Sequence, residues 1–120
     1  MAGVEWIVEA HGCSAEGLRD LAVLRRLFQA LIDDLGLHLA AEILWRQFPY
    51  PGGITGLALL SESHLACHTF PEHRSLCLNL FCCRARPRWD FEARLADLLG
   101  AEYVVVREVA RDWVAAGIEA

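Results

Sequence analysis

Three runs of β-forming residues, Ile54–Leu60, Leu65–Phe70 and Leu76–Cys83, follow one another across gaps of four and five residues. Parallel neighbours need a crossover of roughly a dozen residues, so gaps this short favour antiparallel pairing. Further strands are expected at Val4–Ala10, Leu39–Phe48 and Tyr103–Val109. Pro49-Tyr50-Pro51-Gly52-Gly53 cannot continue a ladder and reads as a loop.

Between the first two strands, Leu18, Leu21, Leu24, Leu27, Phe28, Leu31, Ile32 and Leu35 recur at helical spacing. Ser14 is the candidate N-cap, and Gly36 stops the helix. Asp90–Leu99 is a second helix, with Phe91, Leu95, Leu98 and Leu99 inward and Gly100 at its end. From Arg111 onward the chain reads as a loosely held tail. The order β-α-β-β-β-β-α-β implies one α+β domain over residues 1–120, a two-layer sandwich. A mainly antiparallel sheet carries both helices on one face. Its other face is left bare, which calls for a partner.

Composition supports that partner. Hydrophobic residues make up 55% of the chain, rich for a domain of 120 residues. No apolar run approaches the ~20 residues of a membrane helix, and residues 1–9 lack the pattern of a signal peptide. A cytoplasmic location is expected, with no membrane partner. Net charge is −5, which argues against a nucleic-acid surface. Arg84, Arg86 and Arg88 form the one basic cluster, read as a solvated turn. All eleven basic residues are arginine. Pyridoxal phosphate is anchored through a lysine, so this chain cannot carry that cofactor. The five cysteines (Cys13, Cys67, Cys77, Cys82 and Cys83) match no zinc spacing and are expected to be reduced. A metal site from His64, Cys67, His68, Cys82 and Cys83 is disfavoured, because alternation sends His64 and Cys67 to opposite faces.

The stretch Ser61-Glu62-Ser63-His64, followed by His68-Thr69-Phe70-Pro71-Glu72, sets a hydroxyl between a carboxylate and two imidazoles. Strand alternation places His64, Ala66, His68 and Phe70 on one face, and Leu65, Cys67 and Thr69 on the other. It likewise separates Cys82 from Cys83, so only one of the two can face a site beside the neighbouring strand. An isolated serine in such a stretch is most simply a strand-end residue, and a lone Cys83 a structural thiol.

Together with Thr55-Gly56 and Leu80-Phe81-Cys82-Cys83, these segments resemble, in order and spacing, the prokaryotic pyruvoyl-dependent S-adenosylmethionine decarboxylase proenzymes. The resemblance covers nearly the whole chain. It implies self-cleavage between Glu62 and Ser63, giving an upstream chain 1–62 and a downstream chain 63–120. Ser63 would become the pyruvoyl cofactor that forms a Schiff base with the substrate, with no metal required. Thr55 and His68 would assist processing, and Cys83 would be the proton donor in turnover. Glu72 would bind ribose hydroxyls, and Phe48 or Tyr50 would stack on adenine. His64 would stand beside the substrate. It also implies a homodimer with active sites at the subunit interface and a role in polyamine synthesis.

Several positions depart from the family pattern. Glu5 stands where histidine is usual, Asn79 where aspartate is, and Phe70 where tryptophan is. His73-Arg74 replaces Tyr-Gly. Processing residues are thus intact while the substrate's surroundings differ. Two alternatives follow: an arginine or ornithine decarboxylase on the same scaffold, and an inactive paralogue that regulates.

Overall fold

The computed structural model describes residues 2–114 of the chain. Six strands form one antiparallel sheet: β1 (Ala2–His11), β2 (Leu44–Gln47), β3 (Ile54–Leu59), β4 (Ser63–Phe70), β5 (Ser75–Cys82) and β6 (Tyr103–Asp112). The spatial order is β2-β3-β4-β5-β1-β6. The consecutive runs do form an antiparallel meander, β2 to β5. The N-terminal strand then inserts between β5 and β6, with Val4 opposite Cys82 and His11 opposite Ser75.

Three helices, not two, pack on one face: α1 (Ala15–Leu18), α2 (Leu21–Asp34) and α3 (Phe91–Leu99). Ser14 caps α1 by accepting from the Gly17 N–H at 3.1 Å. The expected single long helix breaks at Asp20, whose carboxylate accepts from the Ala22 N–H at 3.0 Å and starts α2 afresh. An aspartate offers the backbone this alternative to a continuous ladder. Gly100 ends α3 in the left-handed region at φ 68°, where a side chain would be strained.

Trp6, Val8 and Ala10 of β1, Leu65 of β4 and Leu76, Leu78 and Leu80 of β5 meet Leu24, Leu27, Phe28 and Leu31 of α2 in a closed core. Phe91 of α3 lies 6.2 Å from Trp6, centroid to centroid. On β2, Trp45 stacks obliquely on Phe28 at 4.7 Å. Its ring also fills the space over Gly56, where an added Cβ would sit 2.4 Å away. Glycine at position 56 lets β2 close down on β3.

Strand boundaries shift by a residue or two in β1, β3 and β5, where Cys83 falls just past the strand end, and three further differences matter more. The second strand is only Leu44–Gln47, not Leu39–Phe48. Leu39 makes an isolated bridge to Leu60, and Ala40 N–H bonds to Leu59 O at 3.0 Å, but β3 offers no further partners there. β4 begins at Ser63, so Ser63 and His64 belong to the strand rather than to the turn before it. β6 runs on to Asp112 against β1, so Arg111 and Asp112 are not tail. Trp113 and Val114 follow the strand as a bend, and the remainder of the expected tail, residues 115–120, lies outside the described residues. No helix among the described residues is long and apolar enough to cross a membrane.

Among the described residues, no helix covers the second sheet face. Leu57, Leu59, Phe70, Tyr103 and Val109 are exposed there, alongside His64 and His68. Exposed apolar residues grouped on one sheet face mark a binding surface.

Candidate active site

The sequence-predicted residues gather at the two ends of β4. At its C-terminal end, Thr55 of β3 lies directly opposite His68. Thr55 Oγ1 and His68 Nδ1 share a hydrogen bond of 3.0 Å, which fixes the imidazole on the open face. The neighbouring Thr69 points the other way and is 5% exposed. It accepts from the Ile54 N–H at 2.8 Å and donates to the Leu18 carbonyl at 2.7 Å. One hydroxyl thereby ties β3 and β4 to α1 beneath Thr55 and His68. Replacing it, Thr69→Val, should destabilise the fold by about 2–4 kcal/mol, because two buried backbone groups lose their partners. Urea denaturation of the purified variant measures this.

Phe48, Pro49, Pro51, Gly53, Thr55, His68, Thr69, Phe70 and Glu72 line a hollow of about 390 Å³. Glu72 sits on the 3₁₀ turn Pro71–His73 that follows β4. Phe48 and Tyr50 therefore part company. Phe48 lines the hollow with the Arg46 guanidinium 5.1 Å from its ring, whereas Tyr50 is 92% exposed and outside the lining.

At the N-terminal end of β4, Ser63 pairs with Cys82. Its side chain lies on the helix-covered side, next to the buried Cys82 on β5. Burial pushes the Cys82 thiol up, and the charge of Arg86 opposes the shift. The Glu62 carbonyl accepts from the Cys83 N–H at 2.8 Å. Cys83 itself is exposed. Glu62, Ser61, Ser63, Gly36, Leu37, His38, Arg84 and Arg86 line a second hollow of about 400 Å³.

His64 and His68 share the open face, as alternation requires, but Ser63 does not share it with them. Ser63 and His68 also stand five residues apart on one extended strand, about 16 Å along it. One copy of the chain does not bring Ser63 and His68 together.

Between the two ends runs a polar band across the open face. His64 stacks on Phe81 at 5.4 Å, and the Arg111 guanidinium lies 5.5 Å from the same ring. Asn79 Nδ2 donates to Glu5 Oε2 at 2.6 Å, and Arg111 pairs with the other Glu5 oxygen. The Asn79 hydrogen bond, helped by Arg111 and His64, holds the Glu5 carboxyl below the usual range despite partial burial. Glu5 and Asn79, two of the departures noted in the sequence, are thus one interacting pair. A carboxylate is still present on this face, on β1 rather than β5. Among the described residues, no group of three or more His, Cys, Asp or Glu side chains converges to hold a metal ion.

The family model described as S-adenosylmethionine decarboxylase matches residues 4–112. The chain belongs to the S-adenosylmethionine decarboxylase family. It is 31% identical over 106 residues to the S-adenosylmethionine decarboxylase proenzyme of Carboxydothermus hydrogenoformans, covering 88% of this chain and 82% of that one. It is 33% identical over 111 residues to the proenzyme of Syntrophomonas wolfei, with 88% and 82% covered. The adenosylmethionine decarboxylase structure from Aquifex aeolicus superposes with a TM-score of 0.77 at 20% identity, covering 98% of this chain and 97% of that one. That likeness shows that the fold is shared.

Arg84 and Arg86 were not legible as part of the site in this decarboxylase-family chain. They read as turn residues because three arginines at alternate positions look like a solvated hairpin end. Register holds the missing signal. With Ser63 opposite Cys82, Glu62 falls opposite residue 83, and the Arg84 side chain is one residue further on, within reach of the Glu62 carboxylate.

Proposed function

We propose that this protein is a self-processing decarboxylase that acts on S-adenosylmethionine and contributes to polyamine synthesis. Family membership supports the reading, as does the name proenzyme given to its relatives. The observation that carries it is the state of the Glu62–Ser63 peptide. Its carbonyl is held by the Cys83 amide at 2.8 Å, and the Ser63 hydroxyl follows in the chain.

Attack of Ser63 Oγ on the Glu62 carbonyl carbon shifts the acyl group from nitrogen to oxygen and leaves an ester. The Cys83 N–H is placed to stabilise charge growing on the Glu62 oxygen. A base then removes the α-proton of residue 63. The Oγ–Cβ bond breaks, and Glu62 departs as a carboxylate. The new terminus takes up water and releases ammonia. The pyruvoyl group so formed from Ser63 supplies the carbonyl electron sink for decarboxylation, in a chain with no lysine to anchor another.

The chain's own residues do the rest. His68, oriented by Thr55, moves the proton in processing. Cys83 returns a proton to the product. Glu72 receives the ribose hydroxyls, Phe48 stacks on the adenine, and His64 flanks the substrate. Because Ser63 and His68 stand apart in one copy, the working unit is a homodimer that closes over the open face. Each site then takes Ser63 and Cys83 from one protomer and Thr55 and His68 from the other. The exposed Leu57, Leu59 and Phe70 supply apolar area for that contact.

Intact mass of the purified protein should show fragments 1–62 and 63–120, the second starting with a pyruvoyl group. Carbon dioxide release should follow from S-adenosylmethionine and not from arginine or ornithine. A chain that stays whole with an ordinary serine at 63 defeats the processing reading. Release from arginine or ornithine instead defeats the substrate assignment.

A further inference from the structure

Residues 83 and 84 grip Glu62 at both of its polar ends. The Cys83 N–H holds its main-chain carbonyl at 2.8 Å, and Arg84 Nε lies 2.7 Å from its side-chain Oε2. Arg86 lines the same hollow, its guanidinium anchored on the Leu35 carbonyl at 3.0 Å. Two cations therefore stand around the residue whose main chain is to be cut. An arginine paired with a surface glutamate is ordinary in itself. This pair differs because Glu62 is where a second negative charge must appear.

We infer that Arg84 is a positioning residue for the elimination step of self-cleavage, cancelling the Glu62 side-chain charge while the leaving carboxylate forms on the same residue. The inference rests on the processing reading above. In that step the α-proton of residue 63 goes to the base, and its electron pair forms the Cα–Cβ double bond. The Cβ–Oγ pair leaves with Glu62, so one carboxylate becomes two on a single residue. Like charges at that separation repel, and a guanidinium bonded to one of them lowers the cost of the other. Arg86 adds to the local positive field. Both partners of the pair are substantially exposed, so solvent moderates the effect.

The test follows processing of freshly made full-length chain, wild type against Arg84→Gln. Loss of the arginine should slow elimination about two- to fivefold at low salt, with the gap narrowing at high salt. Ester-linked chain should accumulate in the variant. Hydroxylamine cleaves that ester and leaves an ordinary serine at residue 63, whereas completed elimination leaves a pyruvoyl terminus. Mass spectrometry distinguishes the two. Arg84→Lys should restore most of the rate, since a point charge serves. In a Glu62→Gln background, Arg84→Gln should cost much less than it does alone. Wild-type rate without ester in Arg84→Gln, or an equal cost in both backgrounds, overturns the inference. A wild-type chain that never cuts defeats the processing reading itself.

Discussion

The Ser63→Ala protein should remain one 120-residue chain and release no carbon dioxide from S-adenosylmethionine, while keeping its fold. Denaturing electrophoresis, intact mass and a release assay together measure this. The loss is complete because the substitution removes the nucleophile of the backbone cut and the atoms of the group that cut creates. No other residue can supply the missing carbonyl. The stability cost should be small by contrast. The Ser63 side chain is half-buried, and losing one hydroxyl there costs about 1 kcal/mol. A single cooperative unfolding transition near that of unprocessed wild type separates lost chemistry from lost structure. Fragments 1–62 and 63–120 from the alanine variant would mean that the cut is ordinary proteolysis, and the proposed mechanism would fall.

The fold was largely readable because burial alternates cleanly along β3, β4 and β5. Ile54, Ala58, Leu65, Cys67, Leu78 and Leu80 all face the helices, and Thr55, Leu57, Ala66, His68, Cys77 and Asn79 face the other way. The pattern failed where apolar character and hydrogen-bond partners diverge. Leu39 to Ile43 is apolar enough for a strand, but β3 can pair only with residues 44–47 beyond its bridge at Leu60. At Asp20 the apolar stripe passes from Leu18 to Leu21 without interruption and hides a fresh N-cap. The site was readable as a set of residues and not as a shape. Family resemblance selects Thr55, Ser63, His68, Glu72 and Cys83 one at a time. Register decides that Ser63 meets Cys82 and that Cys83 meets Glu62 through its amide, and Arg84 joins them by the reach of its side chain. Register depends on turn geometry at Ser61–Glu62, which a short polar tetrad leaves open.

Protein carrying His68→Ala should process about a hundred- to ten-thousandfold more slowly than wild type, the range for a removed general acid or base. Co-expression with Ser63→Ala should restore cutting, on the His68→Ala chain alone. Neither variant can mature by itself, since one lacks the base and the other the nucleophile. A mixed dimer places the intact His68 of the alanine-63 chain opposite the intact Ser63 of its partner. The expectation follows from the length of β4. Ser63 pairs with Cys82 at one end of the strand, and His68 pairs with Thr55 and Cys77 near the other. Both residues are held by continuous ladders to β5, so the strand cannot fold back to join them. A distinguishing tag on each variant shows which chain is cut. Cutting that stays at the His68→Ala level in the mixed protein would place His68 on the serine of its own chain, against the span of the strand, and the shared-site dimer would have to be abandoned.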